Sequence, residues 1–107
     1  MMTKVQQLFA EMPAAFQEDE ARGLTVVFQF DITGDGGGKW TVSVDNGKLT
    51  IVEGEHPKPD TTFTSKADDY VAIAEGRLNE MLAFATGRIK IRGDLGKAMK
   101  LKSLFKR

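Results

Sequence analysis

The 107-residue chain has no cysteine, which excludes disulfides, thiolate nucleophiles and cysteine-ligated metal sites. It has a single histidine, His56, placed between Glu55 and Pro57 in a loop. Zinc needs three or four ligands of suitable type, and acid–base work by histidine needs an orienting partner. His56 therefore reads as an exposed loop residue, and no metal or cofactor is expected. An excess of charge is missing too, because fifteen basic and fifteen acidic side chains cancel. That gives no support to a nucleic-acid binder, whose footprint is a strong positive excess. No apolar run approaches the length of a signal core or a membrane span. The expectation is a cytoplasmic protein.

What remains is an ordinary globular composition, 41% apolar and 28% charged, in a length that suits one domain over residues 1–107. Thr3 can cap a first helix in which Val5, Leu8, Phe9 and Met12 recur at three- and four-residue steps. Pro13 interrupts it, and a second short helix is expected from Pro13 to about Ala21. Leu24, Val26, Phe28, Phe30 and Ile32 then alternate with smaller or polar residues, as a strand with one apolar face does. A second strand holds Trp40, Val42 and Val44, and a third holds Leu49 and Ile51. Asn46-Gly47 between them is a strong hairpin signal. Thr61–Thr64 make a short fourth strand. Ser65 and Asp68 are spaced as a capping box for a helix that stops at Gly76.

The last third carries the densest pattern. Asn79 caps a short helix whose Met81, Leu82, Phe84 and Ala85 leave almost no polar face, so that it is expected to be covered on most sides. Arg88, Lys90 and Arg92 alternate with Ile89 and Ile91 in a fifth strand. Asp94 opens a final helix with a broad apolar face of Leu95, Ala98, Met99, Leu101, Leu104 and Phe105. Lys97, Lys100, Lys102, Lys106 and Arg107 gather on or after it, a solvated face that also suits transient contact with an anionic membrane surface.

None of the polar constellations makes a catalytic set. The run Gly34 to Lys39 is followed by Trp40 and a strand, where a phosphate loop needs Ser or Thr after its lysine and then a helix. Asp68 and Asp69 fit the first turn of a helix better than acid catalysis. Ser43, Ser65 and Ser103 lack a nucleophile-elbow context. The strand end at Arg92-Gly93 and the helix start at Asp94 could hold an anionic headgroup, but the Asp94 side chain competes for the same backbone donors. No catalytic residue is assigned, and the chain is not expected to be an enzyme.

The run AFATGRIKIRGDLGKAMKL (Ala83 to Leu101) is preceded by Asp60, Thr62, Tyr70 and Asn79, and by the glycine-rich FDITGDGGGKWTVSV (Phe30 to Val44). In this order these parts resemble the sterol carrier protein type-two domain. The resemblance covers roughly Leu24 to Leu104. It implies an α+β fold of about five mainly antiparallel strands, with helices over one face and an apolar tunnel between sheet and helices. It further implies non-enzymatic binding, transfer or presentation of a fatty acid, acyl chain, sterol-like or isoprenoid lipid. The residues it points to are Phe28, Trp40, Met81, Leu82, Phe84, Ile91, Leu95, Met99, Leu104 and Phe105. By pattern alone these would be simple core.

Two features of the chain depart from the pattern of that family. Members of that family often have proline and glutamine where this chain has Glu80 and Met81, which leaves the headgroup preference open. The peroxisomal members end in a small-basic-leucine address; this chain ends Phe105-Lys106-Arg107, so that localisation is not expected. The alternative function is an accessory domain that docks on a lipid- or quinone-metabolising enzyme. No pattern in the chain sets an oligomeric state.

Overall fold

The structure, a computed structural model, describes residues 2–105. Lys106 and Arg107 of the expected basic cluster lie outside the described residues. Helix α1 spans Lys4–Glu11, and its cap is a full box in which the Thr3 hydroxyl accepts from the Gln6 N–H and the Gln6 side chain accepts from the Thr3 N–H. The second helix expected after Pro13 is replaced by two short 3₁₀ turns, Met12–Ala15 and Glu18–Ala21. Between them the backbone is extended at Phe16 and Gln17. There the Gln17 N–H donates to the Leu104 carbonyl, and Phe16 pairs with Phe105. A long-range backbone contact to the end of the chain has outweighed local helix propensity.

Five strands follow: β1 Thr25–Thr33, β2 Gly38–Asp45, β3 Lys48–Glu53, β4 Thr61–Lys66 and β5 Ile89–Gly93. They pair in the order β3-β2-β1-β4-β5. Only β1 against β4 is parallel, which matches the mainly antiparallel sheet expected. The β2–β3 hairpin turns on Asn46 and Gly47, both at positive φ (49° and 88°), the conformation of a type I′ turn. Helix α2 is Ala67–Ala74, α3 Glu80–Ala85 and α4 Leu95–Leu104. The capping box expected from Ser65 is not formed. Ser65 is paired on both sides, to Ile32 and to Ile89, so its backbone stays extended within β4, and Lys66 takes the cap position without a side-chain hydrogen bond.

The register separates two faces. Val26, Phe28, Phe30 and Ile32 on β1, with Val42 and Val44 on β2, are buried against Val5, Phe9 and Met12 of the N-terminal segment, Ala67 of α2 and Leu104 of α4. This is the helix-covered face. On the other, Gln29 and Thr41 are buried under the Gly54–Asp60 crossover: the Gln29 amide oxygen accepts from the Thr41 hydroxyl and the His56 N–H, while the Thr41 hydroxyl also approaches the Gly54 carbonyl at 2.9 Å. These bonds satisfy polar groups that would each be costly to bury unpaired. They strap the connection from β3 to β4 flat across the sheet.

Candidate functional site

The apolar residues of the last third meet at the corner where β5 forms one edge of the sheet and α3 and α4 flank it. Helix α3 begins because the Asn79 side chain accepts from the N–H groups of Met81 and Leu82. It ends where the Gly87 and Arg88 N–H groups donate to the carbonyls of Phe84 and Ala83. With only six residues it offers one inward position, Ala83, which is fully buried. Helix α4 begins at Asp94, whose side chain accepts from the Lys97 N–H. That bond occupies the helix start that a headgroup would need.

Asp60 fixes the foot of α4. One carboxylate oxygen accepts from the Val27 N–H at 2.7 Å and the other pairs with the Lys97 ammonium at 3.0 Å, while its carbonyl accepts from the Asp94 N–H. Desolvation pushes the Asp60 pKa up, but the Val27 hydrogen bond and Lys97 outweigh it and hold the carboxyl below its usual range. Gly93 makes the approach possible: at φ +95°, a Cβ there would lie 2.4 Å from the Asp60 carbonyl oxygen. At the other end of α4, Lys102 pairs with Glu80 at 2.7 Å, joining α4 to the first residue of α3. The Glu80 carboxylate raises the Lys102 pKa.

Between these ties the cover expected over α3 is incomplete among the described residues. Met81, Leu82 and Phe84 are 62%, 56% and 47% exposed, and Leu95 and Met99 on α4 are 55% and 67% exposed. The broad apolar face read for α4 is split, because Ala98, Leu101 and Leu104 turn inward while Leu95 and Met99 point away from the interior. Successive helical positions rotate by about 100°, so one stripe cannot serve both sides. Five of the seven large hydrophobic side chains exposed among the described residues therefore lie on two adjoining helices. Together they form an open apolar corner.

The other expected site residues lie deeper or farther away. Ile91 is half-buried in register with Phe63. Phe28 and Leu104 are fully buried in the core. Phe105 lies half-buried with its ring 5.5 Å from that of Phe16. Trp40 stands on β2, stacked on Phe9 at 4.7 Å, and its indole N–H is buried with no acceptor among the described residues. Sequence reasoning overlooked Phe63, whose ring lies 5.0 Å from Phe30 and 5.9 Å from Phe28 and so joins β5 to the core. Its alternation with Thr62 and Thr64 was the available signal. An open cleft of about 560 Å³ lies elsewhere, between Pro13, Phe16 and Glu18 and the β3 edge at Lys48 to Ile51.

This layout is that of a known family, and the relationship extends over nearly the whole chain. Residues 5–106 match the model of the SCP-2 sterol transfer family. The chain belongs to that family. It is 33% identical over 107 residues to Sterol carrier protein 2 of Homo sapiens, covering 94% of this chain and 20% of that protein. The chain thus spans about a fifth of the length of such curated relatives. Among solved structures, palmitated SCP2L2 from Aedes aegypti superposes with a TM-score of 0.73 at 28% identity, over 94% of this chain and 91% of that one. The sec-alkylsulfatase Pisa1 from Pseudomonas sp. contains the same fold, with a TM-score of 0.78 at 24% identity over 92% of this chain and 16% of that one. SCP-2 family membership accounts for the fold that this chain shares with those structures.

Proposed function

We propose that this chain binds a hydrophobic ligand of the fatty-acid, acyl, sterol-like or isoprenoid class and transfers or presents it without chemical change. The observation that carries this reading is the exposure of Met81, Leu82, Phe84, Leu95 and Met99 beside the half-buried Ile91. An apolar surface of this kind on a small domain marks a ligand or interaction site. Methionine suits surfaces that repack around different guests. The palmitated state of the Aedes aegypti relative supports the same ligand chemistry. The acyl chain enters between α3 and α4, and those five side chains close over it. Phe28 and Leu104 form the floor it meets if α4 moves outward. Trp40, whose buried N–H has no acceptor among the described residues, and Phe105 would be reached only by a guest that parts the helices from the sheet. The setting is cytoplasmic, and loading and unloading involve transient contact with a membrane.

The test is uptake of a fluorescent fatty acid, together with solvent extraction and mass spectrometry of the purified protein. Phe84→Asp and Met99→Asp place a charge in the proposed site and lower affinity by at least tenfold. Met99 is 67% exposed, so Met99→Asp changes stability by no more than about 0.5 kcal/mol, whereas Phe84, 47% exposed, loses about 1–2 kcal/mol of burial. Wild-type uptake in both variants, or no uptake and no extractable amphiphile in the parent protein, overturns the proposal.

A further inference from the structure

The two edges of the sheet are guarded differently. At β5 the face opposite Ile91 carries exposed Lys90 and Arg92, and α3 and α4 flank the strand. Charge and cover of this kind keep a free edge from pairing with another chain. At β3 the only charges are Lys48 and Glu53 at its ends, and Leu49-Thr50-Ile51-Val52 lies between them without a proline. Its register with β2 runs unbroken from Lys48 to Glu53, so no bulge turns the edge away, and Val52 is 51% exposed. In a hairpin that turns on two residues the flanking pair, here Asp45 and Lys48, exchanges both hydrogen bonds, and bonded and non-bonded pairs alternate from there. The N–H and C=O groups of Leu49, Ile51 and Glu53 therefore point off the open edge, and none has a partner among the described residues. The Gly54 N–H, donating to the Lys39 carbonyl at 2.7 Å, keeps the same alternation one step further.

The side chains of Leu49 and Ile51, in register with buried Val44 and Val42, face the helix-covered side. There they form one wall of the open cleft of about 560 Å³, and Pro13, Phe16 and Glu18 form the other. Carboxylates border it: Glu18 and Glu20 in the 3₁₀ turn and Glu53 at the end of β3 have no ion-pair partner among the described residues. We infer that β3 takes up an extended basic segment of a partner protein as a sixth strand. Apolar side chains opposite Leu49 and Ile51 enter the cleft, and basic ones towards the ends of the segment meet Glu18 and Glu53. In strand addition the backbone bonds supply affinity, and pockets for alternate side chains select the partner. Six extended residues reach about 20 Å, which is the span of β3. A second copy of the chain offers the same edge but brings a second Glu18 and a second Glu53 towards the first pair. The α3–α4 corner flanks β5 at the opposite edge of the sheet, so a partner held at β3 leaves that corner open.

The probe is a fluorescein-labelled peptide, TKTVTITK, which in an antiparallel register sets valine and isoleucine opposite Ile51 and Leu49 and a lysine towards each end. TETVTITE is its charge-reversed control. Fluorescence anisotropy is expected to show saturable binding of the first and about tenfold weaker binding of the second. Glu18→Lys, at an exposed position, lowers affinity for TKTVTITK about fivefold. Glu53→Pro removes an outward N–H while keeping the bonds to β2, and lowers it about tenfold. Amide exchange followed by NMR should show Leu49, Ile51 and Glu53 slowed by the peptide and β5 unchanged, and fatty-acid uptake should be the same in both variants as in the parent. Equal binding of the two peptides, full affinity in Glu18→Lys, protection at β5 instead of β3, or no binding at all overturns the inference. Protection of β3 that grows with protein concentration in the absence of peptide also overturns it, and assigns the edge to a second copy of the chain.

Discussion

Asp60 shows how much one side chain can organise. It joins β1, the crossover and the start of α4 through Val27, Lys97 and the Asp94 N–H. Its pKa is depressed in the folded chain, so the carboxylate contributes stability fully above the ordinary aspartate pKa of about 4, and that contribution is lost as pH falls through the lower folded value. Asp60→Asn is expected to cost about 1 kcal/mol at pH 7, because the ion pair is a third exposed and screened while the Val27 bond is kept only in weaker form. The difference from the parent should shrink as pH drops from about 5 towards 2, which urea melts at several pH values will show. Asp60 was legible as part of a family pattern, but its partners were not: Val27 and Lys97 lie 33 and 37 positions away in sequence.

At the scale of elements, α3 is the weakest part of the fold. Its six residues are too few to be helical alone; beyond the local Asn79 cap, tertiary support comes from buried Ala83 and the Glu80–Lys102 pair. Asn79→Ala should remove about 1 kcal/mol of local stability. Amide exchange in residues 81–85 should then accelerate about fivefold while exchange in β1 and β2 is unchanged, as hydrogen-exchange mass spectrometry can resolve. Helix existence here was readable from Asn79, Gly87 and the apolar run between them. Its cover was not, since an all-apolar helix is normally buried and only the placement of neighbours reveals that Met81 and Leu82 stay 62% and 56% exposed. The helix start at Ser65 failed for a related reason: capping spacing is local, whereas Ile32 and Ile89 claim Ser65 for the sheet.

Across the whole molecule, a ligand that covers the exposed apolar side chains of α3 and α4 should stabilise the fold. Fatty acid at a hundred times its Kd is worth about 2.7 kcal/mol, which for a chain of this size raises Tm by roughly 10 °C. Scanning calorimetry with and without palmitate checks this, and Met99→Asp should abolish most of the rise. By itself, the order of residues determined the strands, their turns, the single core and membership of the family, because alternation, glycine placement and capping act over a few residues and leave a local trace. Tertiary structure alone decided that β1 runs parallel to β4, that Phe16 meets Phe105, and that five apolar side chains of α3 and α4 face outward. Those outcomes depend on which surfaces meet after the chain has folded back on itself, and burial is a property of the neighbours a side chain acquires as much as of its own chemistry.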